Sequence, residues 1–338
     1  MVLSKTYLEL EPEDNQLLGS LHTIQYAINS IWTPNVSIIK DFTDHGMEHS
    51  FRVLNRAASL LKILKGRTNS DLSNVERYLL SACGYLHDIG MQCDIMKFPQ
   101  VKAVAESLGA DFADVNFDAD YSSSYSNEAQ IKIRENHQYL TAAWIQCAYD
   151  NRDPSPVSGL DDAAKTIPPL LVRNLMEICM YHSKLPIRMS FEPCKHERST
   201  RIQLVAALLR FADELDVDLY RVPEPEKIHR NFRLPVSNIK YWWSHGRTHI
   251  DLDYKYVNEK ITEGKITFEV LLHPDDIQKY GVSMQEEIIE KFKNKNKELL
   301  NILASSGIPI SIDDESKVSG DSHLERMPKE ISEELTMK

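Results

Sequence analysis

The chain has 338 residues, more than one hydrophobic core usually holds, so one large domain with a smaller companion is expected. Apolar and charged fractions of 42% and 26% are those of an ordinary soluble protein. A net charge of -11, with no dense basic stripe before the C-terminal third, argues against duplex nucleic acid as a partner and fits a small anionic substrate better. The five cysteines, Cys83, Cys93, Cys147, Cys179 and Cys194, lack CxxC spacing, which argues against a disulfide framework or a cysteine zinc site. The opening residues MVLSKTYLELEPEDN have the character of neither a signal nor a transit peptide, and no apolar run is long enough to span a bilayer. The cytoplasm, with no membrane partner, is the expected setting.

In chain order, Leu17, Leu18, Leu21, Ile24, Ile28, Ile31 and Trp32 predict an amphipathic helix over residues 14–32, with His22 off the stripe and at the surface. A second helix is predicted from about 44–46 to 65 with His49 inward. His45 lies four residues earlier, in the turn TDHG, where a helix-start or supporting role is as reasonable as metal ligation. The third helix opens on a capping box, Ser73-Asn74-Val75-Glu76, and leads to His87 and Asp88, with Gly90 as its stop. Residues 92–127 show no sustained period and are expected to be a lid.

Helical periodicity returns over 127–149, with Ile133, His137, Leu140, Thr141, Trp144 and Ile145 on one side. NRDPSPVSGLDD reads as a linker, and a helix starting at Pro168 and Pro169 reaches His182. IQLVAALLRFADELD, within a helix over 199–219, is apolar almost all round and therefore buried, which gives its Asp213 need of a cation or strong donors. Alternation over 249–256 and 266–272 predicts two antiparallel strands, followed by a helix over 284–305 and a charged, aperiodic tail from about 313. The expected organisation is a mainly α domain over 1–222, a small α+β module over 223–310 and a tail over 311–338.

Taken singly, a buried histidine on an apolar helix face is more often a hydrogen-bonded core residue than a ligand, and Asp213 alone could pair with Arg210 or Arg52. Tyr241-Trp242-Trp243, near His245 and His249, is more readily a core hairpin or subunit contact than a base-stacking or metal site. Cys194 and His196 with Cys179 lack a fourth ligand, and Lys291 to Lys297 read as a solvated helix face. The set is more telling: His49, His87 with Asp88, His137, His182 and Asp213 occupy inward positions on five separate predicted helices. A histidine beside an aspartate offers a divalent cation a neutral nitrogen and an anionic oxygen that can bridge to a second ion.

The order His49, His87-Asp88, Asp213, in the surroundings HSFRVL, LHDIG and LLRFADELD, resembles the HD-domain metal-dependent phosphohydrolase superfamily. His137 in ENHQYLTAAWI and His182 in YHSKLP are similar to the extended H-HD-H-H-D form found in HD-GYP phosphodiesterases and the HD-CE group, although the GYP signature is absent. Over residues 40–220 the resemblance implies a helical HD bundle with two divalent ions, drawn from Mn, Fe, Mg or Zn. His49, His87, Asp88 and Asp213 would hold one ion and His137 and His182 the other, with Asp88 bridging. It implies His87 and Asp88 as catalytic residues and hydrolysis of a nucleotide-like phosphoester or phosphoanhydride by a metal-activated water. Lys184, Arg210 and Arg52 are the candidate phosphate-binding cations, each equally well read as a structural or solvated charge. The same ligand pattern fits an HD-fold di-iron oxygenase, and a nucleotide-sensing module without turnover is a further alternative. Any homo-oligomer is expected to form through the C-terminal module.

Overall fold

A computed structural model of the chain describes residues 5–32, 38–39, 45–68, 70–113, 115, 117, 125–150, 160–183, 185–187, 191–217, 243, 246–313, 317–324 and 326–327. The architecture is mainly α with a small C-terminal sheet, as expected. The described residues fall into two compact units, one within 1–40, 45–58 and 72–210, the other within 59–71 and 211–338.

In the first unit, α1 (Asn15–Trp32) starts where the Asp14 carboxylate accepts from the backbone N–H of Gln16 and Leu17, at 2.9 and 3.0 Å. Its stripe is buried at Leu17, Leu21, Ile24, Ile28 and Ile31, with Leu18 and Trp32 only half-buried, and it packs on α3 (Asn74–Leu86) and α6 (Leu160–Thr166). His22 is exposed, as its position off the stripe predicts. Met47–Thr68 form α2, starting slightly later than predicted.

The capping box of α3 forms: Glu76 N–H donates to Ser73 Oγ at 3.3 Å, and Ser73 N–H to Glu76 Oε2 at 2.9 Å. Glu76 does more than close this box. Its buried carboxylate accepts from the backbone N–H, Nε and Nη2 of Arg201 at 2.7, 2.8 and 2.7 Å, so both oxygens are saturated.

The helix does not continue to a stop at Gly90. It ends at Leu86, His87 caps it, and Ile89–Gln92 turn as a short 3-10 segment. Gly90 is required for close approach instead, because a Cβ there would collide with the carbonyl of His137 and lie 2.8 Å from Thr141 N. The resulting contact is clamped by Thr141, whose hydroxyl donates to His87 O at 2.8 Å and accepts from Gly90 N–H at 3.0 Å.

Four further expectations are corrected. Residues 92–127 are not structureless: Pro99–Leu108 form α4, with Val101 and Ala105 buried and Gly109 closing it in the left-handed conformation at φ 115. The lid expectation for the remainder rests largely on residues 118–124, outside the described residues. The end of the expected linker folds as α6, with Leu160, Ala163 and Ala164 buried against α1 and α5 (Asn127–Tyr149). Pro168 and Pro169 do not open the next helix; Pro168 O accepts from Leu171 N–H at 2.8 Å in a turn, and α7 (Val172–Tyr181) follows. The helix predicted over 199–219 is confined to α8 (Ile202–Glu214), which is buried at most of its positions but exposes Gln203.

In the second unit, β1 (Thr248–Val257) and β2 (Lys260–Leu272) form the predicted antiparallel hairpin, turning through Asn258 and Glu259 at φ 50 and 64. Ile250 is buried as its face requires, whereas Tyr256 is exposed beyond a register shift between Lys255 and Tyr256. The final long helix, α9 (Pro274–Ser305), begins ten residues before the predicted start, with His273 accepting from Asp275 N–H at 3.2 Å and proline in the first turn. Phe292 of α9 stacks its edge on Phe268 of β2, ring centroids 5.1 Å apart. Residues expected in an aperiodic tail instead contribute β4 (Lys317–Gly320), which pairs parallel with β2, as does β3 (Ile310–Ile312). Trp243 packs in an apolar cluster with Val270, Leu272, Tyr280 and Met327, which favours its core reading; Tyr241, Trp242 and His245 lie outside the described residues.

Two outcomes follow for stability. Burial pushes the Glu76 carboxyl up, but hydrogen bonds from Arg201 and Ser73 and the Arg201 charge outweigh it and hold the group below its usual range. A lowered folded pKa contributes stability that is present above the unfolded value of about 4.3 and lost as pH falls through the folded value. In urea unfolding at pH 7, Glu76→Gln therefore costs about 1.5–3 kcal/mol, and its deficit against the parent protein narrows as pH falls below about 4.3. Thr141→Val leaves His87 C=O and Gly90 N–H without this partner and costs about 1–3 kcal/mol in the same measurement, whereas Thr141→Ser retains most of the stability.

Candidate metal centre

Four helices or their ends bring the site together within the first unit. His49 lies in the first turn of α2, His87 and Asp88 follow the last turn of α3, His137 sits midway along α5, and His182 caps α7. All five side chains are buried: His49 and His87 are 0% exposed, His182 2%, Asp88 5% and His137 8%. The imidazoles form a contiguous set, with ring centroids 5.2 Å apart for His49 and His87, 5.0 Å for His87 and His182, and 4.9 Å for His137 and His182.

Their orientation has a repeated local cause. Nδ1 of His87 lies 3.0 Å from Gly84 O, while Nδ1 of His137 and His182 bond to Arg134 O and Cys179 O; each partner is three residues earlier in the chain. At the ends of α3 and α7, such carbonyls have no onward helical N–H to accept. A carbonyl only accepts, so Nδ1 carries the proton in all three rings and, in the neutral ring, Nε2 presents a bare lone pair to the interior.

The Nε2 atoms face one another. His137 Nε2 and His182 Nε2 are 2.9 Å apart, and His49 Nε2 and His87 Nε2 are 3.2 Å apart. The Asp88 carboxylate stands between the two pairs. Its Oδ2 lies 3.4 Å from His49 Nε2 and 3.3 Å from His87 Nε2; its Oδ1 lies 3.3 Å from His137 Nε2 and 3.4 Å from His182 Nε2. His45 Nδ1 also meets Oδ2, at 2.9 Å. Burial would raise the Asp88 carboxyl, but the neighbouring His87 and His45, with hydrogen bonding to His137 and His182, holds it well below the usual carboxylate range. Burial pushes His182 down, and the nearby His137 and His87 add to that against Asp88, so its ring favours the neutral, metal-binding form.

Electron-rich atoms at these separations repel unless positive charge lies among them, and the donor set of neutral imidazole with carboxylate suits a divalent transition ion. Two metal-type groupings therefore meet at one carboxylate, His45 and His49 with Asp88, and His137 and His182 with Asp88. The residues present fit metal.

Of the other sequence-predicted residues, Asp213 is half-buried in the last turn of α8, among residues of the second unit. Arg52 is buried on α2, three residues beyond His49. Arg210 is half-buried, with Nη1 donating to Leu185 O at 2.6 Å. Lys184 lies outside the described residues. Cys194 with His196 and Cys179 forms no metal-type grouping among the described residues. Sequence reasoning left His45 open and read Thr141 only as part of an apolar stripe; their positions four residues before His49 and four after His137 were the available signals.

Among the described residues, no helix is long and apolar enough to cross a membrane. No curated protein and no solved structure matches the chain. The HD-CE family model matches residues 39–279, a span that takes in every residue of the site. That match and the buried His/Asp set are together consistent with an HD-type metal-dependent hydrolase. The chain belongs to the HD-CE family.

Proposed function

We propose that the protein is a binuclear metal-dependent phosphohydrolase acting on a phosphoester or phosphoanhydride of a nucleotide-like small molecule. The observation that carries this reading is the division of the Asp88 carboxylate, with one oxygen facing His49 and His87 and the other facing His137 and His182. A carboxylate so placed can serve two cations at once and offset their repulsion.

In this reading His49, His87, Asp88 and Asp213 hold one divalent ion, and Asp88, His137 and His182 hold a second. When bound, such a pair supplies Lewis acidity and lowers the pKa of water towards neutrality. The chain supplies the rest. The carbonyls of Gly84, Arg134 and Cys179 fix three rings in the tautomer that directs Nε2 inward. Burial excludes bulk water, which strengthens every charge interaction in the site. Arg52, Arg210 and Lys184 are proposed to receive phosphate oxygens; the guanidinium fork of either arginine is suited to paired oxygens. The net charge of -11 makes such local cations necessary for an anionic substrate.

The test is a panel of nucleotides offered without oxygen to metal-stripped protein reloaded with manganese, with bound metal counted in parallel. Release of phosphate or a nucleoside phosphate is expected. Asp88→Ala loses both ions and turnover; His137→Ala retains the first ion and weakens the second. Unchanged stoichiometry and rate in His137→Ala would contradict the binuclear assignment, and oxygen consumption with an iron-dependent optical band would replace hydrolysis with oxygenase chemistry.

A further inference from the structure

We infer that His45 is a positioning residue, which holds the Asp88 carboxylate in its two-sided orientation by donating a hydrogen bond, and is not a fifth imidazole of the metal set. The inference rests on the binuclear reading and assigns a residue which that reading leaves without a role.

Four observations separate His45 from the other imidazoles. It meets the carboxylate through Nδ1, whereas His49, His87, His137 and His182 all turn Nε2 towards it. Its nitrogen lies 2.9 Å from Oδ2, the ordinary length of an N–H···O bond, while the other four lie at 3.3–3.4 Å. Those longer separations suit pairs of electron-rich atoms grouped about a cation: ligands on bonds of about 2.1 Å at the tetrahedral angle stand about 3.4 Å apart. Finally, α2 begins at Met47, so His45 precedes the helix. The H-x3-H spacing therefore does not present two rings on one helical face, and the rings of His45 and His49 meet edge-on, at 74° with centroids 5.6 Å apart.

The physical consequence concerns the torsion of the Asp88 carboxyl group. With Oδ2 fixed by His45 on one side, Oδ1 is directed towards His137 and His182, and the bridge is set before any ion arrives. Without that bond the group must be ordered as the ions bind, and both sites weaken together. Partners of this kind typically contribute 10–100-fold in metal affinity.

The experiment titrates metal-stripped full-length protein with manganese in competition with a fluorescent chelator and counts ions at saturation. It compares the parent protein, His45→Ala and His45→Asn; the asparagine amide nitrogen occupies the same place in the side chain as Nδ1. Thermal unfolding of each stripped protein checks the fold. The expected result is two ions in all three, with affinity for both lowered about 10–100-fold in His45→Ala and largely recovered in His45→Asn. A fall from two ions to one in His45→Ala would make His45 a ligand and overturn the inference, as would affinity within twofold of the parent. Saturation of the parent protein at a single ion would instead remove the binuclear reading, while the ratio between variant and parent would still decide whether His45 supports Asp88.

Discussion

The Asp88 carboxylate is 5% exposed and has imidazole nitrogens against both of its oxygens. A buried anion loses hydration worth several kcal/mol and is tolerated only where cations or donors replace the lost water. That requirement organises the first unit. The end of α3 delivers the carboxylate, α2 and α5 deliver rings to its opposite sides, and α7 completes the second side. His87, His137 and His182 are turned by one device, an Nδ1–H bond to the carbonyl three residues back. The chain thus meets the same need repeatedly with the same backbone geometry.

The position of the carboxylate depends on how α3 is held at both ends. At its start, the Glu76 oxygens are saturated by Arg201, just before α8, and by the Ser73 backbone. At its finish, Thr141 clamps the His87 carbonyl and the Gly90 amide to α5, an approach that leaves no room for a side chain at Gly90. The second contact joins the turn carrying Asp88 to the helix carrying His137, one helical turn before Thr141. A displacement of either element changes the separation between Oδ1 and the second pair of imidazoles.

Much of the site was legible because its residues combine two signals: they are chemically costly to bury, and they stand on strongly periodic apolar helices. Asp88, His137 and His182 each met both conditions. The capping box of α3 was legible for a local reason, since both partners lie within four residues. Arg201, the other partner of Glu76, lies 125 residues away, and no local pattern names it. Gly90 was misread because glycine after a helix commonly terminates it, whereas here the constraint comes from a helix that passes overhead.

The elements missed were those with little periodic signal of their own. α4 buries only Val101 and Ala105, and α6 is one short helix beside a stretch rich in proline and glycine. The early start of α9 falls among Asp275, Asp276 and Lys279, where the apolar face is sparse. β4 is short and set in charged sequence, and its pairing with β2 is a tertiary fact. His45 stands between two sequence signals: its distance from His49 suits a chelating pair and its place in the turn TDHG suits a supporting role, and the start of α2 places it off the helix and against the carboxylate.

Anomalous diffraction from crystals of the full chain grown with manganese tests the central claim most directly. The account predicts two manganese peaks flanking Asp88, one bonded to each oxygen, with His49 and His87 around the first and His137 and His182 around the second. A single peak bound by both oxygens of Asp88, or no peak within bonding distance of that carboxylate, would contradict it.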